Sequence, residues 1–134
     1  MYDAAKFVAD HARAILVTRR RDGGLQASPV RVLVDGSGEL VAITRGATAK
    51  ARNLSRDPRF ALCSISDGWS GPWMTIEGTA EVHVLPGALG RLRDFYAQRD
   101  GSVPPDAEFE AKMESEGRVL IEFNVERSTA SPVR

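Results

Sequence analysis

The chain has one cysteine and two histidines in 134 residues. A single cysteine, Cys63, excludes a disulfide framework and any cysteine-based zinc site. Within its apolar run it reads as a small buried hydrophobe. His11 and His83 lie far apart in the chain, and neither stands in a motif with a nucleophile, so no metal and no catalytic histidine are expected. Charge of one sign is missing as well. Eighteen basic residues balance eighteen acidic ones, and the broad basic surface that nucleic-acid binding requires is not expected. No apolar run reaches membrane-spanning length, and Met1–Lys6 is not a signal peptide, so a cytoplasmic protein is expected. No G-x-G-x-x-G follows a first strand, and no serine stands in a nucleophile elbow. A nicotinamide Rossmann domain is thereby excluded, and a serine hydrolase is unsupported. With 43% hydrophobic and 27% charged residues, what remains is one globular domain over residues 1–134.

What is present is a local concentration of positive charge. The stretch Thr44 to Arg59 carries Arg45, Lys50, Arg52, Arg56 and Arg59 against a single acid, Asp57. Before it, Glu39 to Thr44 reads as a buried strand, and Gly46 permits a sharp turn. Thr48 is a good N-cap for a helix running to about Arg56, which Asp57-Pro58 stops. Helical spacing puts Ala47, Ala51 and Leu54 on one face, with Lys50 and Asn53 together on another. Lys50 then falls in the first turn, where the helix dipole disfavours a cation. A bound phosphate would repair that conflict, held by free backbone N–H groups, the Thr48 hydroxyl, Lys50 and Arg45. A solvated basic face on a short surface helix is the competing interpretation of the same spacing.

Elsewhere the pattern is that of strands joined by tight turns. Asp3 to His11 reads as a short amphipathic helix. Ala14 to Arg19 reads as a strand, and Arg20 to Gly24 as a hairpin turn. Leu25 to Val34 alternates as one strand, in which Pro29 marks an edge, a bulge or backbone left free. After the turn at Asp35 to Gly38 come strands over 39–44, 59–66 and 73–85, with Trp69 in the Gly-rich loop Asp67 to Pro72. Gly78 in the middle of the longest strand predicts a bend or a close backbone approach. Pro86 opens a predicted helix to about Arg99, and Asp106 is predicted to cap another that carries Phe109 and Met113. A last strand, Arg118 to Arg127, alternates with Val119, Ile121, Phe123 and Val125 inside. The six strands predict an all-β fold with accessory helices, an antiparallel β-barrel rather than a βαβ fold.

The run Thr48-x-Lys50-x-Arg52-Asn53-Leu54-x-Arg56-Asp57-Pro58-Arg59, followed by Asp67-Gly68-Trp69 and Glu77-Gly78-Thr79-Ala80, resembles the split-barrel flavin and deazaflavin oxidoreductases. These are relatives of pyridoxamine 5′-phosphate oxidase, and the resemblance is strongest to the actinobacterial branch that uses coenzyme F420. It spans about Val17 to Arg127 and implies a six-stranded split β-barrel homodimer binding F420 or, alternatively, FMN. It also implies that the cofactor ring lies along Ala27, Ser28, Pro29 and Val30, which contact it through their backbone. It further implies that Ile43, Thr44, Arg45, Thr48, Lys50 and Asn53 are cofactor-binding positions and that Trp69 approaches the cofactor across the dimer interface. The implied activity is hydride transfer from the reduced deazaflavin to a conjugated small-molecule acceptor such as a quinone or a tetrapyrrole. Alternatives are an FMN oxidase or reductase of the same fold and a non-catalytic cofactor binder. The short tail Ser128 to Arg134 lacks the Arg- and His-rich segment that vitamin B6 oxidation requires.

Overall fold

The structure is a computed structural model and describes residues 3–68 and 70–131. Asp3 accepts a hydrogen bond from the Ala5 N–H at 2.9 Å and so caps α1 (Ala4–Asp10), which buries Ala4, Phe7 and Val8. A hairpin follows, β1 (Arg13–Arg19) and β2 (Leu25–Arg31), turning at Gly23, whose φ of 86° suits glycine. Next come β3 (Leu33–Val34), β4 (Leu40–Arg45), α2 (Ala49–Arg56), β5 (Arg59–Ile65) and β6 (Trp73–His83). The chain ends with α3 (Leu89–Asp100), α4 (Asp106–Glu116) and β7 (Arg118–Ala130).

All pairings are antiparallel and form one seven-stranded sheet of order β2-β1-β5-β6-β7-β4-β3. The two edge strands are consecutive in sequence, separated by Val32 alone, so the sheet must curl until its ends meet. This is the split β-barrel with accessory helices that the sequence predicts, with seven strands in place of six. The extra strand arises at Val32, which is buried and donates its N–H to the Ala12 carbonyl at 2.8 Å. There the chain leaves β1 and joins β4, dividing the expected strand 25–34 in two.

Period-two alternation fills the barrel. Leu16, Leu62, Met74, Ile76, Ile121 and Phe123 are each at most 1% exposed, and each contributes roughly 1.5–3 kcal/mol of burial. Phe60 packs edge-on against Phe123 with ring centroids 4.8 Å apart. A second core lies outside the barrel, where Val41 of β4 and Leu120 of β7 meet Leu92, Phe95 and Tyr96 of α3 and Phe109 and Met113 of α4.

Three sequence expectations shift. The helix predicted from Pro86 begins at Leu89, after a turn closed by the Ala88 N–H on the Val84 carbonyl. Asp106 is the first residue of α4 rather than its cap, and its carboxylate instead ion-pairs with Arg93 at 3.0 Å. Val125 keeps the inward phase opposite Gly78 but is 40% exposed, at a mouth of the barrel lined also by Leu40 and Phe123. Among the described residues no helix is long and apolar enough to cross a membrane.

Candidate cofactor site at the start of α2

Helix α2 begins and ends where its sequence demands. Thr48 is the N-cap, its Oγ1 accepting from the Ala51 N–H at 3.4 Å, and Asp57 is the C-cap ahead of Pro58. The same Thr48 hydroxyl donates to the Arg45 carbonyl at 2.9 Å and lies 3.1 Å from the Thr44 hydroxyl. Its one proton goes to Arg45, so Thr44 is the donor in that contact. Thr44, Arg45 and Thr48 thus lock the strand-to-helix turn. The N–H groups of Ala49 and Lys50 remain pointing out of the first turn with no intrahelical acceptor.

Lys50 crosses from α2 to the edge of the sheet. Its Nζ donates to the Pro29 carbonyl at 3.4 Å, and burial pushes its pKa down. Pro29 suits this edge because it has no N–H to leave unpaired and turns its carbonyl away from β1. By the alternation of an antiparallel ladder, Ala27 also turns its peptide groups to the open edge of β2. Ala27 and Pro29 expose their side chains on the outer face, whereas Ser28 and Val30 turn inward. Ser28 Oγ is buried with no hydrogen-bond partner, and the same alternation turns the Ser28 N–H and C=O toward Leu16 of β1, so neither its side chain nor its backbone faces the open edge.

The remaining predicted positions divide. Asn53 is 6% exposed and shares the packed face of α2 with Ala51 and Leu54 rather than standing beside Lys50. Its amide donates to Thr18 Oγ1 at 3.1 Å, and its carbonyl oxygen accepts from Arg56 at 3.1 Å. The amide end therefore joins α2 to the barrel, while the carbonyl end is held within α2 by Arg56, whose guanidinium itself reaches the Arg19 carbonyl of β1. Ile43 turns its side chain to the α3–α4 core, on the opposite sheet face from Thr44. Trp69 lies outside the described residues.

The cations of this region are not alike. Arg59 is committed to Asp57, with Nη2 on Oδ2 at 2.7 Å. That guanidinium and the Arg59 N–H hold the Asp57 carboxyl down at about 2. Arg56 donates to the Arg19 carbonyl at 2.8 Å. Among the described residues Arg45, Lys50, Arg52 and Arg56 form no ion pair. Arg52 and Arg56 lie further along α2, Arg56 in its last turn, but Arg45 and Lys50 stand at the helix N-terminus beside two outward N–H groups, where an anion can be taken up.

Beside this site the outer face of β2, β1 and β5 carries an apolar band: Leu25 at 60% exposure, Ala27, Pro29, Ile15, Val17 and Ala61. A groove of about 410 Å³ crosses it along the register row Val17, Ala61, Glu77, Arg127, with Arg19 and Arg59 at its end. Among the described residues no side chain in either place forms a nucleophile–base pair that would support covalent catalysis.

Comparison with known proteins agrees with this architecture. The family described as pyridoxamine 5′-phosphate oxidase matches residues 3–131. None of the curated proteins matches the chain by sequence. Among solved structures, the conserved hypothetical protein Rv2991 of Mycobacterium tuberculosis is 24% identical with a TM-score of 0.77, over 97% of this chain and 84% of that one. A protein described as an F420 reductase is 18% identical with a TM-score of 0.69, over 96% of this chain and 98% of that one. The haem storage protein HutZ of Vibrio cholerae is 15% identical with a TM-score of 0.71, over 94% of this chain and 89% of that one. A family match over nearly the whole length, on a barrel of this topology, means that the chain belongs to the pyridoxamine 5′-phosphate oxidase family of split-barrel proteins.

Proposed function

We propose that the protein is a cytoplasmic, homodimeric reductase that binds coenzyme F420 at the start of α2 and along the open edge of β2. One observation carries this reading. Lys50 is a partly buried cation in the first turn of a helix, with no acidic partner among the described residues, beside the outward N–H groups of Ala49 and Lys50. A phosphate monoanion or diester placed there satisfies the N–H groups, the ammonium and the helix dipole together.

The residues present fit such a group. Thr44 and Thr48 fix the turn, so its N–H groups are already aimed before a ligand arrives. The Ala27 peptide edge can take hydrogen bonds from a planar heterocycle lying against β2, and the flat side chains of Ala27 and Pro29 leave room for it. When bound, the reduced deazaflavin supplies a hydride to a conjugated acceptor of the quinone or tetrapyrrole type. The protein's part is binding, orientation and exclusion of water, and a second subunit over the apolar band would complete the enclosure.

Titration of the purified protein with F420 and with FMN, followed by fluorescence, tests the choice of cofactor. Binding of F420 in preference to FMN is expected, followed by oxidation of reduced F420 when a quinone is added. A yellow protein holding stoichiometric FMN and showing no affinity for F420 would overturn the proposal.

A further inference from the structure

Glu81 and His83 of β6 and Glu122 of β7 converge on the outer face of the barrel, beside α3 and apart from the start of α2. The two-residue spacing places Glu81 and His83 on one sheet face. The register then sets Glu81 directly opposite Glu122. Two carboxylates facing each other across a strand pair repel unless a cation or a proton donor lies between them. His83 occupies that place, with Nε2 3.2 Å from Glu122 Oε1 and 3.4 Å from Glu81 Oε2.

Arg91 of α3 supports the cluster from one side. It donates to Glu122 Oε1 at 2.6 Å and to Asp35 Oδ2 at 3.1 Å. Asp35, Glu81 and Glu122 bring three negative charges and Arg91 one positive. With a neutral imidazole, the group carries a net charge of two minus. All three donor atoms of Glu81, His83 and Glu122 lie within 4.8 Å of one another.

We propose that Glu81, His83 and Glu122 form a binding site for a divalent transition-metal cation of the zinc type. A tetrahedral ion with ligands at about 2.0–2.1 Å holds its donors roughly 3.3–3.4 Å apart. The two histidine–carboxylate separations already have that spacing. Glu81, with its side chain 62% exposed, is the ligand that turns to close the set. One imidazole nitrogen beside two carboxylates favours zinc, cobalt or nickel over calcium or magnesium, which prefer all-oxygen sites. Arg91 acts as an outer partner that orients the Glu122 carboxylate, its own charge met by Asp35. The open side at Glu81 leaves a coordination position for water or an external ligand.

The full chain, free of any affinity tag and stripped with a chelator, should be titrated with Zn²⁺ by calorimetry. A second titration with Co²⁺ would be followed by its visible absorption. One ion per chain is expected, with the absorption of a low-coordinate cobalt centre. His83→Gln and Glu122→Gln should each weaken Zn²⁺ binding at least about tenfold, while His11→Gln leaves it unchanged. Glu81→Gln serves as a third variant, since its side chain is exposed and contacts only His83 in the cluster, and it too should weaken binding. Absence of saturable Zn²⁺ binding in the folded wild type, or an affinity unmoved by both His83→Gln and Glu81→Gln, would overturn the site.

Discussion

Replacing Lys50 with alanine separates a ligand-binding cation from a surface one by the sign of its effect. Without cofactor the substitution removes a charge that the α2 dipole opposes, worth about 0.3–1 kcal/mol in favour of the mutant. It also removes one hydrogen bond to Pro29, which at 3.4 Å is long and contributes little. The apo protein should therefore melt at an equal or slightly higher temperature. With cofactor the balance reverses. Losing a charge-assisted hydrogen bond to phosphate costs roughly 1.5–3 kcal/mol, a ten- to hundredfold rise in Kd. At a concentration one hundred times the wild-type Kd, cofactor stabilises wild type by about 2.7 kcal/mol. At the same concentration it would stabilise the mutant by only about 0.4–1.4 kcal/mol. At roughly 3 °C per kcal/mol for a domain of this size, a wild-type rise of about 8 °C should shrink to about 1–4 °C. Differential scanning fluorimetry of both proteins, with and without F420, reads all four values. An unchanged ligand-induced rise in the mutant would refute the placement of the phosphate and make Arg45, exposed at the end of β4, the next residue to test.

Gly78→Ala should cost about 2–4 kcal/mol, because its Cβ would be driven into the backbone carbonyl of Asn124, which sheet pairing prevents from moving; urea denaturation checks this, and a loss below 1 kcal/mol would mean that β7 yields. Leu25→Asp places a charge on a side chain already 60% exposed and should be near neutral in a monomer. If the apolar band is the subunit interface, the same variant should dissociate the dimer in sedimentation and weaken F420 binding with it, whereas an unchanged mass would locate the interface elsewhere. Asp57 titrates at about 2 in the folded chain against an ordinary value of 3.8, so its contribution to stability is complete above about pH 4 and is lost as pH falls through about 2. Asp57→Asn should flatten the fall of stability over that window, and acid denaturation curves of equal slope for both proteins would contradict the pairing with Arg59.

The strand-to-helix turn was legible because its determinants are local. Thr48 at the cap, Gly46 in the turn and Asp57-Pro58 at the stop each act within one turn of the chain, and α2 runs from Ala49 to Arg56 as those residues demand. Asn53 was less legible. Helical spacing places it within reach of the Lys50 face, but Thr18, 35 residues away, draws the amide into the interior. The break at Val32 has no local mark either, since Val30 to Val34 contains neither glycine nor proline. Only the exchange of partners from β1 to β4 divides that run. The pairing of Glu122 with Glu81 and His83 is hidden for the same reason. Glu81-x-His83 announces a shared face, yet the third member lies 39 residues beyond His83 and is found only once the register of β6 on β7 is known.

That register also explains where simple alternation fails on the last strand. Glu77 pairs with Arg127 and Gly78 with Val125, so Glu126 is an extra residue on β7. Up to the bulge the odd positions Val119, Ile121 and Phe123 face the core, as alternation predicts. Beyond it the phase inverts, and Ser128 and Ala130 sit opposite the inward Ile76 and Met74. A strand read by period two alone loses its pattern at this point, which is why Arg127 looked like its end although pairing continues to Ala130. Gly78 is the matching feature on β6, since a side chain there would meet the very peptide that the bulge displaces. The glycine and the extra residue are therefore one device written on two strands, and only the first of them carries a sequence signal.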